Sequence, residues 1–196
     1  SKIYAVELQK SLNDIASELT HNYKLEKNIF HINADILKYN FNEIKFNNIV
    51  SWLAFYHIPK RTELLKILYN LLENKGYMFV EDFYMKYTSS MSALELQIAA
   101  TKFGASHLVS KYSVKEELEK NKFRLVDFVD MSADWTKFTH DRLLNFKKNY
   151  IKYSQINGKN TADNILKFYS LSYDLLSKQI IGGIRYIVQK KTSWWN

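Results

Sequence analysis

The chain has 196 residues and a mass of 23.3 kDa, enough for one substantial core and short for two. Hydrophobic residues make up 46% and charged residues 24%, a globular balance that excludes disordered and collagen-like architectures. The net charge of +8 would attract anions such as nucleic acid, phosphate esters or a membrane surface, and the lack of cysteine excludes disulfides, thiolate metal sites and a cysteine nucleophile.

No apolar run approaches the roughly 18 to 20 residues that span a bilayer, and SKIYAVELQK lacks the apolar core of a signal peptide, so a cytoplasmic protein is expected. One proline and five glycines are too few turn residues for many tight hairpins; helices must be plentiful.

In chain order, Ile3 to Val6 reads as a strand ended by Glu7, and Leu8, Leu12, Ile15, Ala16 and Leu19 then recur at helical spacing. Asn28 to Ile32 is a second strand, closed by Ala34-Asp35, and Phe46 to Trp52 a third. Pro59 stands where a helix begins, with Leu64, Leu65, Ile67, Leu68, Leu71 and Leu72 as its apolar face and Lys75-Gly76 as its expected left-handed cap. Tyr77 to Val80 is a buried strand closed by Glu81-Asp82. The order β-α-β-β-α-β indicates a mainly parallel sheet with helical layers.

Farther on, Ser92 to Phe103 reads as helical, Ser113 and Glu116 form a capping-box pattern, and Phe123 to Met131 is a strand. Two helical patterns follow, about Asp134 to Tyr153 and Thr161 to Lys178, separated by a turn at Asn157 to Asn160. Gly182-Gly183 leads into a last strand, Ile184 to Lys190. From Lys137 to Lys159 six positive residues face only Asp141 and are interleaved with Phe138, Phe146, Tyr150 and Tyr153, a combination that nucleic-acid binders use; the aromatic residues also keep the spacing of one buried helical stripe.

Four segments, AVEL at 5–8, NADI at 33–36, NNIVSWLAFYHIPKR at 47–61 and LLENKGYMFVEDF at 71–83, resemble in order and spacing the class I methyltransferases that use S-adenosylmethionine. The resemblance covers essentially all of residues 1–196, and within the family the chain is most similar to the small-molecule branch that methylates glycine, sarcosine or phosphoethanolamine. It implies a Rossmann-like α/β fold with helices on both faces of a mainly parallel sheet, an antiparallel last strand and a helical lid inserted at about 134–178.

The resemblance also implies a site. Glu7 would receive the two ribose hydroxyls of S-adenosylmethionine, with Leu8 beside it; Asp35 would accept from the adenine amino group, with Ile36 beside the base; Ser51 and Trp52 would run under the methionine part. His57 would lie beside the transferring methyl group, where a neutral imidazole can take a proton from an ammonium nucleophile. Tyr56 and Tyr84 would hold a cationic amine or the sulfonium by their ring faces, and Trp135 would face the acceptor from the lid. Each residue also has an ordinary reading: a helix-dipole partner for Glu7, a turn or cap for Asp35, core packing for Trp52, Tyr56 and Tyr84, and a loop position for His57. The other histidines have no metal-ligand spacing, and no metal is assigned.

Leu53 stands where relatives that methylate phosphoethanolamine have an aspartate. The family's first strand and glycine-rich loop should precede AVEL, so an upstream segment or a partner chain is expected to complete the sheet. The alternatives to a small-molecule methyltransferase are a non-catalytic scaffold with this fold and an RNA methyltransferase or RNA-binding domain.

Overall fold

The computed structural model describes residues 1–86 and 107–191, and the helix expected at Ser92 to Phe103 lies outside them. Contacts divide the chain into two compact units, Ser1–Lys45 and Phe46–Asn196.

In the first unit, β1 (Ile3–Glu7) and β2 (Ile29–Asn33) form a parallel ladder crossed over by α1 (Lys10–Asn22). Tyr4 stacks on Phe30 at 5.1 Å across the ladder. The helix is tied to β2 by a polar contact, Thr20 Oγ1 to His31 Nε2 at 2.7 Å, while Leu12, Ile15 and Leu19 stay about half exposed. The helical spacing is therefore realised without burial of the apolar stripe that carries it.

The second unit is a four-stranded sheet in the order β3-β4-β6-β5. β3 (Phe46–Trp52) runs parallel to β4 (Leu72–Met85), and β6 (Ile181–Lys190) runs antiparallel to both β4 and β5 (Phe123–Asp130). The expected antiparallel last strand is thus present, at an interior position. α2 (Arg61–Leu71) buries Leu64, Leu65 and Leu68, and α3 (Lys111–Lys120) buries Val114 and Leu118. Three helices, α4 (Ser132–Lys148), α5 (Tyr150–Asn157) and α6 (Lys159–Ser177), separate β5 from β6.

Several boundaries differ from the sequence reading for identifiable reasons. α2 ends at Leu71, and the left-handed residue is Lys75, not Gly76. Gly76 instead permits a close backbone approach: a Cβ there would lie 2.9 Å from the Glu73 carbonyl oxygen and 3.0 Å from that of Asn47. Glu81 and Asp82 do not close β4, which runs on to Met85. The cap of α3 is Ser110, whose Oγ accepts from the Ser113 backbone N–H at 3.1 Å, so the expected capping box lies one turn inside the helix. The long helix expected over 134–153 breaks at Asn149, where the side chain donates to the Asn145 carbonyl oxygen at 2.9 Å and competes with helical bonding.

β6 begins at Ile181, so Gly182 and Gly183 lie within the strand. Side chains would not fit at either. A Cβ on Gly182 would collide with the Tyr84 ring and Ser132 Oγ, and one on Gly183 with the Trp135 ring. Adjacent strand residues point to opposite faces, so the pair admits Tyr84 on one face and Trp135 on the other. Gly183→Ala is expected to lower stability by about 1–3 kcal/mol. In Trp135→Ala the same change should cost much less; denaturant melts of the double-mutant cycle that add to within about 0.5 kcal/mol would contradict the contact.

Candidate active site

At the carboxyl edge of the first unit, Glu7 is the ladder partner of Asn33. Asn33 Nδ2 donates to the carbonyl oxygens of Glu7 at 2.9 Å and Leu8 at 3.1 Å, and the Ala34 N–H donates to Glu7 O at 3.1 Å. These bonds bring the Glu7-Leu8 and Asp35-Ile36 segments to the same edge of one parallel ladder, where open α/β sheets bind ligands. Both carboxylates also serve locally. Glu7 Oε1 accepts from the Gln9 N–H at 2.7 Å, and Asp35 Oδ1 accepts from the Leu37 N–H at 2.9 Å, with Lys38 Nζ 3.7 Å from its other oxygen.

In the second unit, Ser51 and Trp52 end β3. The Ser51 hydroxyl is buried without a hydrogen-bond partner, whereas the Trp52 ring is 65% exposed and meets Phe79 edge-on at 6.3 Å. Leu53 takes a left-handed conformation (φ 52°), and its N–H donates to the Glu81 carbonyl oxygen at 2.8 Å. This bend delivers the chain into a 3-10 turn, Phe55–His57, that buries Phe55 and Tyr56 and leaves His57 exposed.

The turn is held from below by Asp82, 3% exposed, whose carboxyl group accepts from the backbone N–H groups of Phe83 (3.0 Å) and Tyr56. Burial pushes the Asp82 carboxyl up to about 7 from an ordinary 3.8, against those hydrogen bonds and the nearby Arg61 guanidinium, which favour the charged form. Arg61, in the first turn of α2, is paired through Nε with Glu117 of α3 at 2.8 Å. The Tyr186 hydroxyl is also fully buried, and burial foremost holds it well above the ordinary phenol range. Burial and then the Asp82 charge push Tyr56 up to about 12, so its phenol stays protonated near neutrality.

An aromatic cluster lies over this edge. Tyr56 packs against His57 at 3.8 Å and edge-on against Phe83 at 5.4 Å, and Phe83 meets Trp135 edge-on at 5.0 Å. Leu171, Leu175, Leu176, Ile180 and Ile181 close the cluster. The structure thus brings His57, Tyr56 and Trp135 to one aromatic cluster through Phe83. Tyr84 is not part of it: it points to the opposite face of β4, and its hydroxyl donates to Asp130 at 2.9 Å. Asp130 also accepts from Lys111 Nζ at 2.6 Å and from the Ser132 N–H at 2.9 Å; although burial opposes it, these donors hold its carboxyl well below the usual range. Tyr84 and Asp130 therefore anchor the start of α4.

Asp82, Phe83 and Arg61 escaped the sequence reading of the site. The available signal was the alternation of Met78, Val80, Asp82 and Tyr84, which puts a carboxylate in phase with a buried face.

No protein-family model and no curated protein sequence matches the chain. Solved structures do. Phosphoethanolamine N-methyltransferase 2 of Haemonchus contortus is 14% identical with a TM-score of 0.87, over 97% of this chain and 44% of its own. A Galdieria sulphuraria protein assigned as a sarcosine dimethylglycine methyltransferase is 11% identical with a TM-score of 0.81, over 98% of this chain and 70% of its own. The cyclopropane synthase MmaA2 of Mycobacterium tuberculosis is 12% identical with a TM-score of 0.81, over 96% and 70%. At this identity the likeness establishes the fold: a Rossmann-like α/β architecture shared with S-adenosylmethionine-dependent methyltransferases. The chain spans less than half the length of the Haemonchus enzyme.

The raised Asp82 pKa has a signed consequence. Between 3.8 and about 7 the folded chain holds a proton at Asp82 that the unfolded chain has released, so this group makes stability fall as pH rises through that window. The full span corresponds to roughly 4 kcal/mol. Asp82→Asn keeps an acceptor for both N–H groups and removes the titration. Urea melts at pH 4.5 and 8 should show the variant gaining stability relative to the original chain at the higher pH; a parallel pH dependence in both would show that Asp82 titrates as an exposed carboxyl.

Proposed function

We propose that the chain is part of an S-adenosylmethionine-dependent methyltransferase that acts on a small molecule, an amine in the first instance. The observation that carries this reading is the location of Glu7 and Asp35 at one carboxyl edge of a parallel ladder, in a chain whose structural neighbours include methyltransferases. In it, Glu7 receives the ribose hydroxyls with Leu8 beside it, and Asp35 with Ile36 reads the adenine. Ser51 and Trp52 serve the methionine part; the unpartnered Ser51 hydroxyl supports this, since a buried polar group without a partner is costly.

The cofactor supplies an electrophilic sulfonium methyl group. The protein's contribution would be alignment and exclusion of water, holding the acceptor lone pair in line with that methyl group. The methylated ammonium then loses its proton to His57. Trp135 offers a ring face to a cationic acceptor, and Tyr56, buried beneath His57 and edge-on to Phe83, lends its ring from below, its phenol protonated near neutrality.

Backbone donors from a glycine-rich loop belong to this reading and come from an upstream segment or a partner chain. Residues 1–196 alone should then bind S-adenosylmethionine weakly, and the upstream part should tighten binding at least about 10-fold. A catalytically inactive scaffold is the second reading, favoured by Leu53, which leaves His57 without a carboxylate four residues earlier.

Calorimetric titration of S-adenosylmethionine into the chain completed upstream tests the assignment. Glu7→Ala and Asp35→Ala should each weaken binding about 10-fold, a loss of one or two hydrogen bonds to a charged acceptor. Unchanged affinity in both variants would remove the cofactor from this edge.

A further inference from the structure

The far end of the helical insertion carries a surface to which the proposed methyl transfer assigns no residue. α5 has no buried residue. At 100° per residue, Ile151, Lys152, Gln155 and Ile156 fall within an arc of about 140°, opposite Tyr150, Tyr153 and Ser154. The first four are exposed, with Ile151 and Ile156 at 73% and 71%, and the last three are half-buried. Leu144, near the end of α4, is 52% exposed.

Charge on this end is one-sided. From Arg142 to Lys159 the sequence holds five positive residues and no acidic one. Arg142 donates to the Tyr169 hydroxyl at 2.9 Å, and Lys159 is paired with Asp163 at 2.7 Å. Lys147, Lys148 and Lys152 are exposed and in no ion pair among the described residues.

Two polyanions suit such a surface, an anionic membrane and a nucleic acid, and the side chains distinguish them. Single-stranded nucleic acid is held by stacking on open aromatic faces. Here Phe146 is enclosed by Tyr150, Tyr153 and Tyr169 at 5.1–6.3 Å, and the Tyr150 hydroxyl donates to Asp163. From Leu144 to Ile156 the large apolar side chains left open are aliphatic, while the exposed Phe138 lies six residues nearer the root with the Arg142 guanidinium 5.6 Å from its ring; aliphatic chains suit the boundary between headgroups and acyl chains, and lysines beside them suit anionic headgroups.

We propose that this end of the insertion, α5 with the last turns of α4, docks on an anionic lipid surface. Leu144, Ile151 and Ile156 enter the interface, and Lys147, Lys148 and Lys152 lie among the headgroups. No helix of the described residues is long and apolar enough to cross a membrane, so the contact is peripheral. It is independent of methyl transfer.

Vesicle co-sedimentation tests it, with phosphatidylcholine alone and with about one third phosphatidylserine. The chain should sediment with the mixed vesicles, not with phosphatidylcholine, and less as salt rises. Replacing Lys147, Lys148 and Lys152 with Gln should lower partitioning roughly 100-fold, about five-fold for each lysine. Ile151→Asp with Ile156→Asp should abolish sedimentation without shifting the thermal melt, because both side chains are exposed. Failure to sediment, or equal sedimentation with both vesicles, would overturn the proposal. So would tight binding of single-stranded poly(U) that needs the three lysines and not the two isoleucines, which would assign the surface to RNA.

Discussion

A single carboxyl group, that of Asp82, is held out of water at the point where β4, the Phe55–His57 turn and the start of α2 meet. It accepts from the Tyr56 and Phe83 N–H groups, so the backbone that presents His57 is fastened to the sheet through it. A buried carboxylate is expensive unless paired, and the nearby Arg61 guanidinium is itself committed through Nε to Glu117. Anchorage of the turn, placement of the α2 terminus and docking of α3 are thus one electrostatic problem with one solution.

The helical insertion is rooted by a second constraint, the absence of side chains at Gly182 and Gly183. Strand β6 is flanked by β4 and β5 and is close-packed on both faces, so an aromatic ring can approach its backbone only where no Cβ stands. Trp135 uses that space on one face and Tyr84 on the other. Asp130 then fixes the first turn of α4 by accepting from Ser132, Tyr84 and Lys111. The insertion is tightly held at this root, and its far end, at α5, has no fully buried residue. Such an element can shape a pocket at one end and meet a surface at the other.

Hydrophobic spacing and strand-ending carboxylates carried the element order as far as β4, because both are local properties of the chain. The acidic residues at 7 and 35 were legible for the same reason: each follows a short apolar run. Asp82 was misplaced as a strand terminator because an acidic residue in a buried strand is explained only by partners from elsewhere, Arg61 and the Tyr56 N–H. Tyr84 was assigned to the acceptor pocket on its position after a strand, but β4 extends five residues beyond Val80, and the alternation of its faces turns Tyr84 toward Asp130. The glycine pair reads as the lead-in to the last strand and is a packing device within it, a distinction that lies in Trp135 and Tyr84, 47 or more residues away in sequence. The buried stripe expected in the basic stretch is realised only in part: Phe146 packs against Tyr150 and Tyr153, all three half-buried, whereas Phe138 is 62% exposed.

The central proposal is that the Asp82-held turn presents His57 to the methyl acceptor. Transfer of labelled methyl from S-adenosylmethionine to a panel of small amines, in a protein carrying the proposed upstream segment, measures this directly when the original sequence is compared with His57→Ala. The account predicts a fall in kcat of about 100-fold or more with cofactor affinity unchanged, as loss of a proton-transfer group gives. Equal turnover in the two proteins, or bound cofactor with no transfer to any amine, would contradict it.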